Sequence, residues 1–128
     1  MAYKSRLEQK IAALLKKRKA KVQYEKDKVY FTQPAKKRFY KPDFTVGKKR
    51  FIEVKGRFVA ADRQKHLWIK EQHPDIKIYF IFGRSQNTLS RKSKTTYAMW
   101  AEEHGFEYID HTDPIPAHWL SGSDRDGE

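Results

Sequence analysis

Apolar residues recur along the chain with two different periods, and these periods divide it into helices and strands. Leu7, Ile11 and Leu15 follow one another at helical spacing, and Ser5 precedes them at a position suited to an N-cap. Other stretches alternate apolar and polar residues or, like Ile78–Phe82, are wholly apolar, as is typical of strands inside a sheet. In chain order, the pattern predicts a helix at about 5–19, a strand within 22–31, two hairpin arms at 39–46 and 50–58, a helix at 60–73, a strand at 76–83, a helix at 95–105 and a strand at 106–110.

These elements have the order α-β-β-β-α-β-α-β, which predicts an α/β fold whose mixed sheet is flanked by helices. With 128 residues, the chain suits one compact domain, 1–128, and is too short for two ordinary ones. Between the elements we predict a basic connector at 32–38 and a basic loop at 84–94, and we expect Gly105 to cap the third helix. The polar residues 121–128 are predicted to form a mobile tail.

The charge of the chain indicates a polyanionic partner. Lysine and arginine number 28 against 16 acids, which gives a net charge of +12, so nucleic acid is the first partner to consider. Cysteine is absent from the sequence, which excludes disulfides and thiolate metal sites and leaves oxygen ligands for any metal. The sequence contains neither a membrane-length apolar stretch nor a signal-peptide pattern, so we expect a soluble cytoplasmic protein.

The cations that could contact a DNA backbone fall into three groups. They are Lys36, Lys37, Arg38, Lys41, Lys48, Lys49, Arg50 and Arg57 around the hairpin, Arg63 and Lys65 at the start of the second helix, and Arg84, Arg91, Lys92 and Lys94 in the 84–94 loop. Each phosphate that such a group neutralises adds salt-dependent affinity. Any one of these side chains has the alternative interpretation of a solvated surface charge.

Two acids and a lysine on the predicted hairpin are the residue types that phosphodiester hydrolysis needs. Successive strand residues point to opposite faces, so Glu53 and Lys55 share one face while Ile52 and Val54 share the other. The other arm brings Asp43 near Glu53, in a register that the sequence does not determine. Carboxylates hold Mg²⁺, and a lysine beside the metal can act on water or stabilise the transition state. The alternative is that all three are surface charges, because Glu-X-Lys alone is a weak motif.

Glu8 allows two compatible interpretations. Ser5-Arg6-Leu7-Glu8 has the form of a capping box, in which the glutamate accepts a hydrogen bond from the N-cap amide. On a helical projection Glu8 also lies about 20° from Leu15, within the apolar arc, where a charge needs a partner.

The histidine and tryptophans of the predicted helices also have alternative interpretations. His66 is either a proton donor to the leaving oxygen or an ordinary histidine, exposed on the helix or satisfied by hydrogen bonds. We interpret Trp68, Trp100 and Trp119 as core or dimer-interface residues rather than as platforms for DNA bases.

Pro42-Asp43 followed by Glu53-Val54-Lys55 matches the PD-(D/E)XK nuclease signature. Beyond the signature, SRLEQK, YKPDF, FIEVKG, DRQKHLWIKEQHPDIKI, TTYAMWAEEHG and IPAHWL occur in this order. Together they resemble the endonuclease I family of T-odd bacteriophages, which are Holliday-junction resolvases, over residues 5–120. The resemblance implies a restriction-endonuclease-like fold and an enzyme of the phage-carrying bacterial cell. It also implies cleavage of branched DNA, chiefly four-way junctions, with Mg²⁺ or Mn²⁺, two ions per active site.

The resemblance also implies roles for individual residues. Carried over by position, Asp43, Glu53 and the backbone carbonyl of Val54 coordinate metal, and Lys55 acts on the attacking water. Glu8 becomes a further active-site acid and candidate metal ligand. The family's intertwined homodimer implies that about residues 5–33 are exchanged between chains, so that Glu8 completes the partner's site.

Two alternatives to a junction resolvase remain open at this point. The first keeps the chemistry and changes the target to that of a mismatch, nicking or restriction enzyme of the same superfamily. The second is a non-catalytic, basic nucleic-acid-binding module in which the acids and the lysine are inert.

Overall fold

The computed structural model describes residues 3–33 and 36–121, without the side chains of Gln33, Lys36 and Ser121. The helices are α1 (Arg6–Lys17), α2 (Ala60–Gln72), α3 (Tyr97–Glu103) and α4 (Ala117–Ser121). The strands are β1 (Gln23–Tyr24), β2 (Val29–Gln33), β3 (Lys36–Tyr40), β4 (Phe44–Gly47), β5 (Arg50–Lys55), β6 (Lys77–Phe82) and β7 (Glu107–Asp110). Within the described ranges, no helix combines the length and the apolarity needed to cross a membrane.

Five of the strands form a mixed sheet in the order β1-β4-β5-β6-β7. Strand β4 is antiparallel to both its neighbours, β1 and β5, whereas β5, β6 and β7 run parallel to one another. Parallel strands need crossover connections, and α2 and α3 lie within the two connections. Strands β2 and β3 pair with each other in a separate antiparallel hairpin.

The sheet is covered on both faces, which explains why its inner strands are apolar on both sides. One core contains Phe51, Phe80 and Phe82 of the sheet together with residues of α2 and α3, and the hairpin β2–β3 packs onto it. The other core contains sheet residues such as Ile52 and Val54 together with α1 and α4 residues, among them Ile11, Leu15 and Trp119. Strand β5 therefore lies between two cores, with the residues of the proposed site near its carboxyl end.

Most predicted elements are confirmed. Helix α1 begins after the N-cap Ser5, α2 ends at Gln72 before Pro74, and α3 is followed by Gly105 at a φ of 76°, where glycine is favoured. The hairpin β4–β5 turns at Lys48 and Lys49, and β6 lies inside the sheet between β5 and β7. The α/β class and the mixed sheet flanked by helices are thus confirmed.

The predicted element order is wrong at three places. The single strand expected within 22–31 is two strands, β1 and β2, separated by a bend where Glu25 has a φ of 49°. Residues 32–38 are not a basic connector and 39–46 are not one hairpin arm, because Lys36–Tyr40 forms β3, which pairs with β2, and β4 begins at Phe44. Helix α4, which the sequence pattern did not predict, follows β7. Of the predicted mobile tail, residues 122–128 lie outside the described residues.

Candidate active site

The hairpin β4–β5 brings Asp43 beside the carboxyl end of β5. Phe44 pairs with Ile52, so Asp43, which directly precedes Phe44, lies next to Glu53 at the end of the ladder. There its Oδ2 accepts a hydrogen bond from the backbone amide of Val54 at 2.9 Å. The Asp43 carboxylate thus accepts the hydrogen bond that a backbone carbonyl of a neighbouring strand would otherwise accept from Val54. This bond holds the Asp43 side chain against β5.

Glu53 and Lys55 contact each other on one face of β5, as the strand period predicts. The Lys55 Nζ lies 3.1 Å from Glu53 Oε2 and 3.6 Å from Asp62 Oδ1, in the first turn of α2. The hydroxyl of Tyr40, at the end of β3, donates to Glu53 Oε1 at 2.6 Å. Glu53 is only 4% exposed, so the interpretation of Glu53 as a solvent-facing surface charge is wrong.

Glu8 combines both roles that its spacing suggested. The Ser5 hydroxyl accepts a hydrogen bond from the Glu8 amide at 3.0 Å, as in a capping box. The Glu8 carboxylate accepts from the amide of Lys4 at 2.8 Å, one residue before the predicted N-cap amide. Glu8 also accepts from the Tyr24 hydroxyl at 2.8 Å and is 5% exposed, on the same side of α1 as the buried Ile11 and Leu15.

Three acids come together where α1, β1 and β4 meet. One carboxylate oxygen each of Glu8, Glu25 and Asp43 lies within 4.8 Å of the others. Glu25 was not among the predicted site residues; its backbone amide donates to the Asp43 carbonyl, and its carboxylate forms ion pairs with Lys4 and Lys41. This donor set of hard oxygens fits Mg²⁺ or Mn²⁺. Glu8 and Asp43 of this cluster belong to the predicted site, and the third acid is Glu25 rather than the predicted Glu53.

The electrostatics of the acids link these two parts of the site. Burial, followed by the charges of Glu53 and Glu8, raises the pKa of Asp43 to about 9, against the opposing effect of the Val54 amide. Burial lowers the pKa of Lys55, but the attraction of Glu53 and Asp62 outweighs it, so that this pKa lies above its ordinary value. Excess negative charge around Asp43 is the environment in which a divalent cation is favourable.

All four predicted catalytic residues therefore lie in one connected site. Glu8 lies with Asp43, Asp43 lies beside Glu53, and Glu53 contacts Lys55. In the structure Glu8 reaches Asp43 of its own chain. The Val54 carbonyl and the number of metal ions stay predictions.

His66 differs from both interpretations offered by the sequence. It is fully buried, and neither ring nitrogen has a hydrogen-bond partner among the described residues. Its ring lies edge-on to Tyr40 and Phe80, at centroid distances of 5.0 and 4.9 Å. Burial and the nearby Lys65 and Lys55 hold the pKa of His66 well below its ordinary value, so the imidazole is neutral and does not fit a proton donor.

The tryptophans lie in or against the cores, as predicted. Trp100 and Trp119 are 5% and 0% exposed. Trp119 stacks on Tyr79 with ring centroids 4.5 Å apart, and the partly buried Trp68 stacks on Phe31.

The predicted DNA-binding cations differ in how exposed their side chains are. Those that the structure leaves exposed are Lys37, Arg38, Lys41, Lys48, Lys49, Arg57, Arg84, Arg91, Lys92 and Lys94. Arg63 instead donates to the Phe58 carbonyl, Arg50 donates to Tyr79 and the His118 carbonyl, and Lys65 lies over the Tyr40 ring. Lys36 lies in β3, with its side chain outside the described part of the structure.

Comparison with known proteins agrees with the resemblance read from the motifs. The family model described as phage endonuclease I matches residues 1–126. Endonuclease I of Escherichia phage T7 is 39% identical over 119 residues, which cover 93% of this chain and 78% of that protein. Endodeoxyribonuclease 1 of Enterobacteria phage T3 is 37% identical over 114 residues, which cover 89% of this chain and 75% of that protein. The chain belongs to the phage endonuclease I family.

Proposed function

We propose that the protein is a metal-dependent endonuclease that acts as a homodimer and resolves four-way DNA junctions. The observation that carries this proposal is the convergence of Glu8, Asp43, Glu53 and Lys55 into one buried site at the end of β5. Family membership supports DNA cleavage, since the T7 and T3 relatives are named as an endonuclease and an endodeoxyribonuclease.

Asp43, Glu53, Glu8 and the Val54 carbonyl would hold Mg²⁺ or Mn²⁺, two ions per site, with Glu25 as a neighbouring acid. When bound, the metal supplies charge stabilisation for the phosphate and lowers the pKa of water. The raised pKa of Lys55 keeps its ammonium group protonated at neutral pH. Lys55 therefore orients the attacking water and stabilises developing negative charge rather than removing a proton.

DNA binding rests on the exposed cations around the site and in the loop that follows β6. Arg84, Arg91, Lys92 and Lys94 of this loop are exposed, as are Lys37, Arg38, Lys41 and Arg57. Groups of this kind contact phosphates without reading base sequence, which suits an enzyme that selects the shape of its substrate. Binding should therefore weaken steeply with salt.

The first experiment separates junction resolution from its alternatives. A labelled four-way junction and linear duplexes of the same sequences are incubated with Mg²⁺, with Ca²⁺ or with a chelator, and the products are separated on a denaturing gel. We expect paired cuts near the branch that require Mg²⁺. Equal cutting of the linear duplexes would favour another nuclease of the superfamily, and intact DNA in every lane would favour a non-catalytic binding module.

The second experiment tests the assigned residues. Alanine variants of Asp43, Glu53 and Lys55 should lose cleavage and keep most of their junction binding, measured by gel shift in Ca²⁺. Glu71→Gln, on the exposed face of α2, is a matched control that should retain both. Full cleavage by the Lys55→Ala variant would contradict the mechanism.

The homodimer proposal includes exchange of about residues 5–33, so that Glu8 of one chain completes the site of the other. A junction with near-twofold symmetry needs two opposed cuts, which a twofold dimer provides. Refolding a mixture of Glu8→Ala and Lys55→Ala chains tests the exchange. An exchanged heterodimer has one site with both residues intact and regains activity, whereas an unexchanged one has none. Inactive mixtures with proven heterodimers would contradict exchange.

A further inference from the structure

We propose that Tyr24 and Tyr40 are positioning residues, each of which holds one active-site glutamate in the orientation that binds the metal. The inference rests on the proposed function, and it adds two side chains that act through their bonds to the glutamates. In both cases a tyrosine hydroxyl donates to a glutamate that the sequence assigns to the site.

Tyr40 holds Glu53. Its side chain is 2% exposed, and its hydroxyl donates to Glu53 Oε1 at 2.6 Å. The ring is fixed between the edge contact with His66 and the ammonium group of Lys65, which lies 5.5 Å from the ring centroid. Because Lys55 binds the other oxygen, Oε2, the Glu53 carboxylate has a partner on each side and its plane is fixed.

Tyr24 holds Glu8 in the same way. Its hydroxyl and the amide of Lys4 both donate to Glu8 Oε1, each at 2.8 Å. The Tyr24 ring packs edge-on against Tyr3 and at a tilt against Phe44, at centroid distances of 4.5 and 5.4 Å. These two bonds orient the carboxylate without engaging Oε2.

A phenol suits this task because it is a neutral donor. A lysine or arginine at the same place would also orient the carboxylate, but its positive charge would oppose a cation bound to the same group. Both hydroxyls keep their protons at working pH, because the ordinary pKa of a phenol is about 10. Partners of metal ligands typically contribute 10- to 100-fold to affinity or activity.

The test uses Tyr→Phe substitutions, which remove one hydroxyl and keep the ring. Tyr24→Phe and Tyr40→Phe are compared with Tyr97→Phe, a matched control: Tyr97 is 7% exposed, and its hydroxyl accepts from the Phe58 amide rather than donating to a carboxylate. Two quantities are measured on each full-length protein. They are the Ca²⁺ dissociation constant without DNA, by calorimetry, and the Mg²⁺ concentration that gives half-maximal junction cleavage.

We expect Tyr24→Phe and Tyr40→Phe to weaken Ca²⁺ binding about 10-fold or more and to raise the half-maximal Mg²⁺ concentration by a similar factor. Cleavage at saturating Mg²⁺ should recover most of the parent rate. Tyr97→Phe should change neither quantity, even where it lowers the thermal midpoint. Parent-like Ca²⁺ affinity in both variants, or equal losses in all three, would overturn the proposal.

The outcomes also separate this inference from the proposed function. A parent protein that cleaves normally while its tyrosine variants bind Ca²⁺ unchanged contradicts only the inference. A parent that binds Ca²⁺ and cuts no DNA contradicts the function, while the affinities of the variants still decide the inference. If Tyr40→Phe did not fold, Tyr24→Phe would decide, and parent-like Ca²⁺ affinity in it would overturn the proposal.

Discussion

Replacing Asp43 by asparagine should stabilise the metal-free protein and abolish cleavage. Asparagine keeps the size of the side chain and an oxygen that can accept from the Val54 amide, a bond of 2.9 Å in the parent. It removes a buried carboxyl group whose ionisation beside Glu53 and Glu8 is unfavourable. Active sites often store such unfavourable charge, because the bound cation relieves it.

The magnitude follows from the pKa of Asp43, which burial and the neighbouring acids raise from 3.8 to about 9. At a pH between these two pKa values, Asp43 carries a proton in the folded protein and has lost it in the unfolded chain. The free energy of unfolding therefore falls as the pH rises. Each pH unit above the ordinary pKa costs about 1.4 kcal/mol, which amounts to about 4 kcal/mol at pH 7. Structural relaxation around the carboxyl reduces the cost, and we expect Asp43→Asn to gain about 2–4 kcal/mol.

Urea unfolding in the presence of a chelator measures this gain, which should be small near pH 5 and larger near pH 8. Added Ca²⁺ should stabilise the parent and not the variant. Asp75→Asn is the matched control, since its exposed carboxylate is paired with Lys49 at 2.6 Å and its removal should bring no gain. A metal-free Asp43→Asn protein that is less stable than the parent at pH 7, or a gain that is independent of pH, would refute the reasoning.

Three further predictions concern the stability of the fold. The pKa of His66 is held well below its ordinary 6.5, chiefly by burial, so the free energy of unfolding should decrease below about pH 6.5, by up to about 1.4 kcal/mol per pH unit. In urea titrations His66→Gln should remove this pH dependence, and the control His104→Gln should leave it. Trp119→Ala should cost roughly 3–5 kcal/mol in the same assay, because the fully buried ring stacks on Tyr79. Ser5→Ala should cost about 1 kcal/mol through the lost N-cap bond, and Ser5→Thr should cost less.

The parts of the site that follow from local periodicity could be predicted from the sequence. The strand period alone places Glu53 and Lys55 on one face, and the structure has them 3.1 Å apart. The helical period places Glu8 in the apolar arc of α1, and the structure buries it there. These predictions succeed because each depends on one element and its regular geometry.

The parts that depend on contacts between distant elements could not be predicted. Tyr24 is 16 residues from Glu8 and Tyr40 is 13 residues from Glu53, and no periodic pattern links such pairs. Glu25 lies in a polar bend with a φ of 49°, where sequence gives no direction for its side chain. Strand β3 was missed because cations dominate it, although charged residues are common on strands at the edge of a small sheet.

The hydrogen bonds that orient Glu8 and Glu53 divide into two groups along the chain, and this division bears on the proposed exchange. Glu8 takes its bonds from the Lys4 amide and Tyr24, both before residue 33, whereas Glu53 takes its bonds from Tyr40 and Lys55, both after residue 36. A segment that moved to a partner chain would therefore carry Glu8 already oriented. It would leave Glu53 equally well oriented, and the contacts to be formed between chains would include the approach of Glu8 to Asp43, the bond from the Glu25 amide to the Asp43 carbonyl and the pairing of β1 with β4. A composite site of this kind loses little order when its halves belong to different chains, because each half orients its own acid.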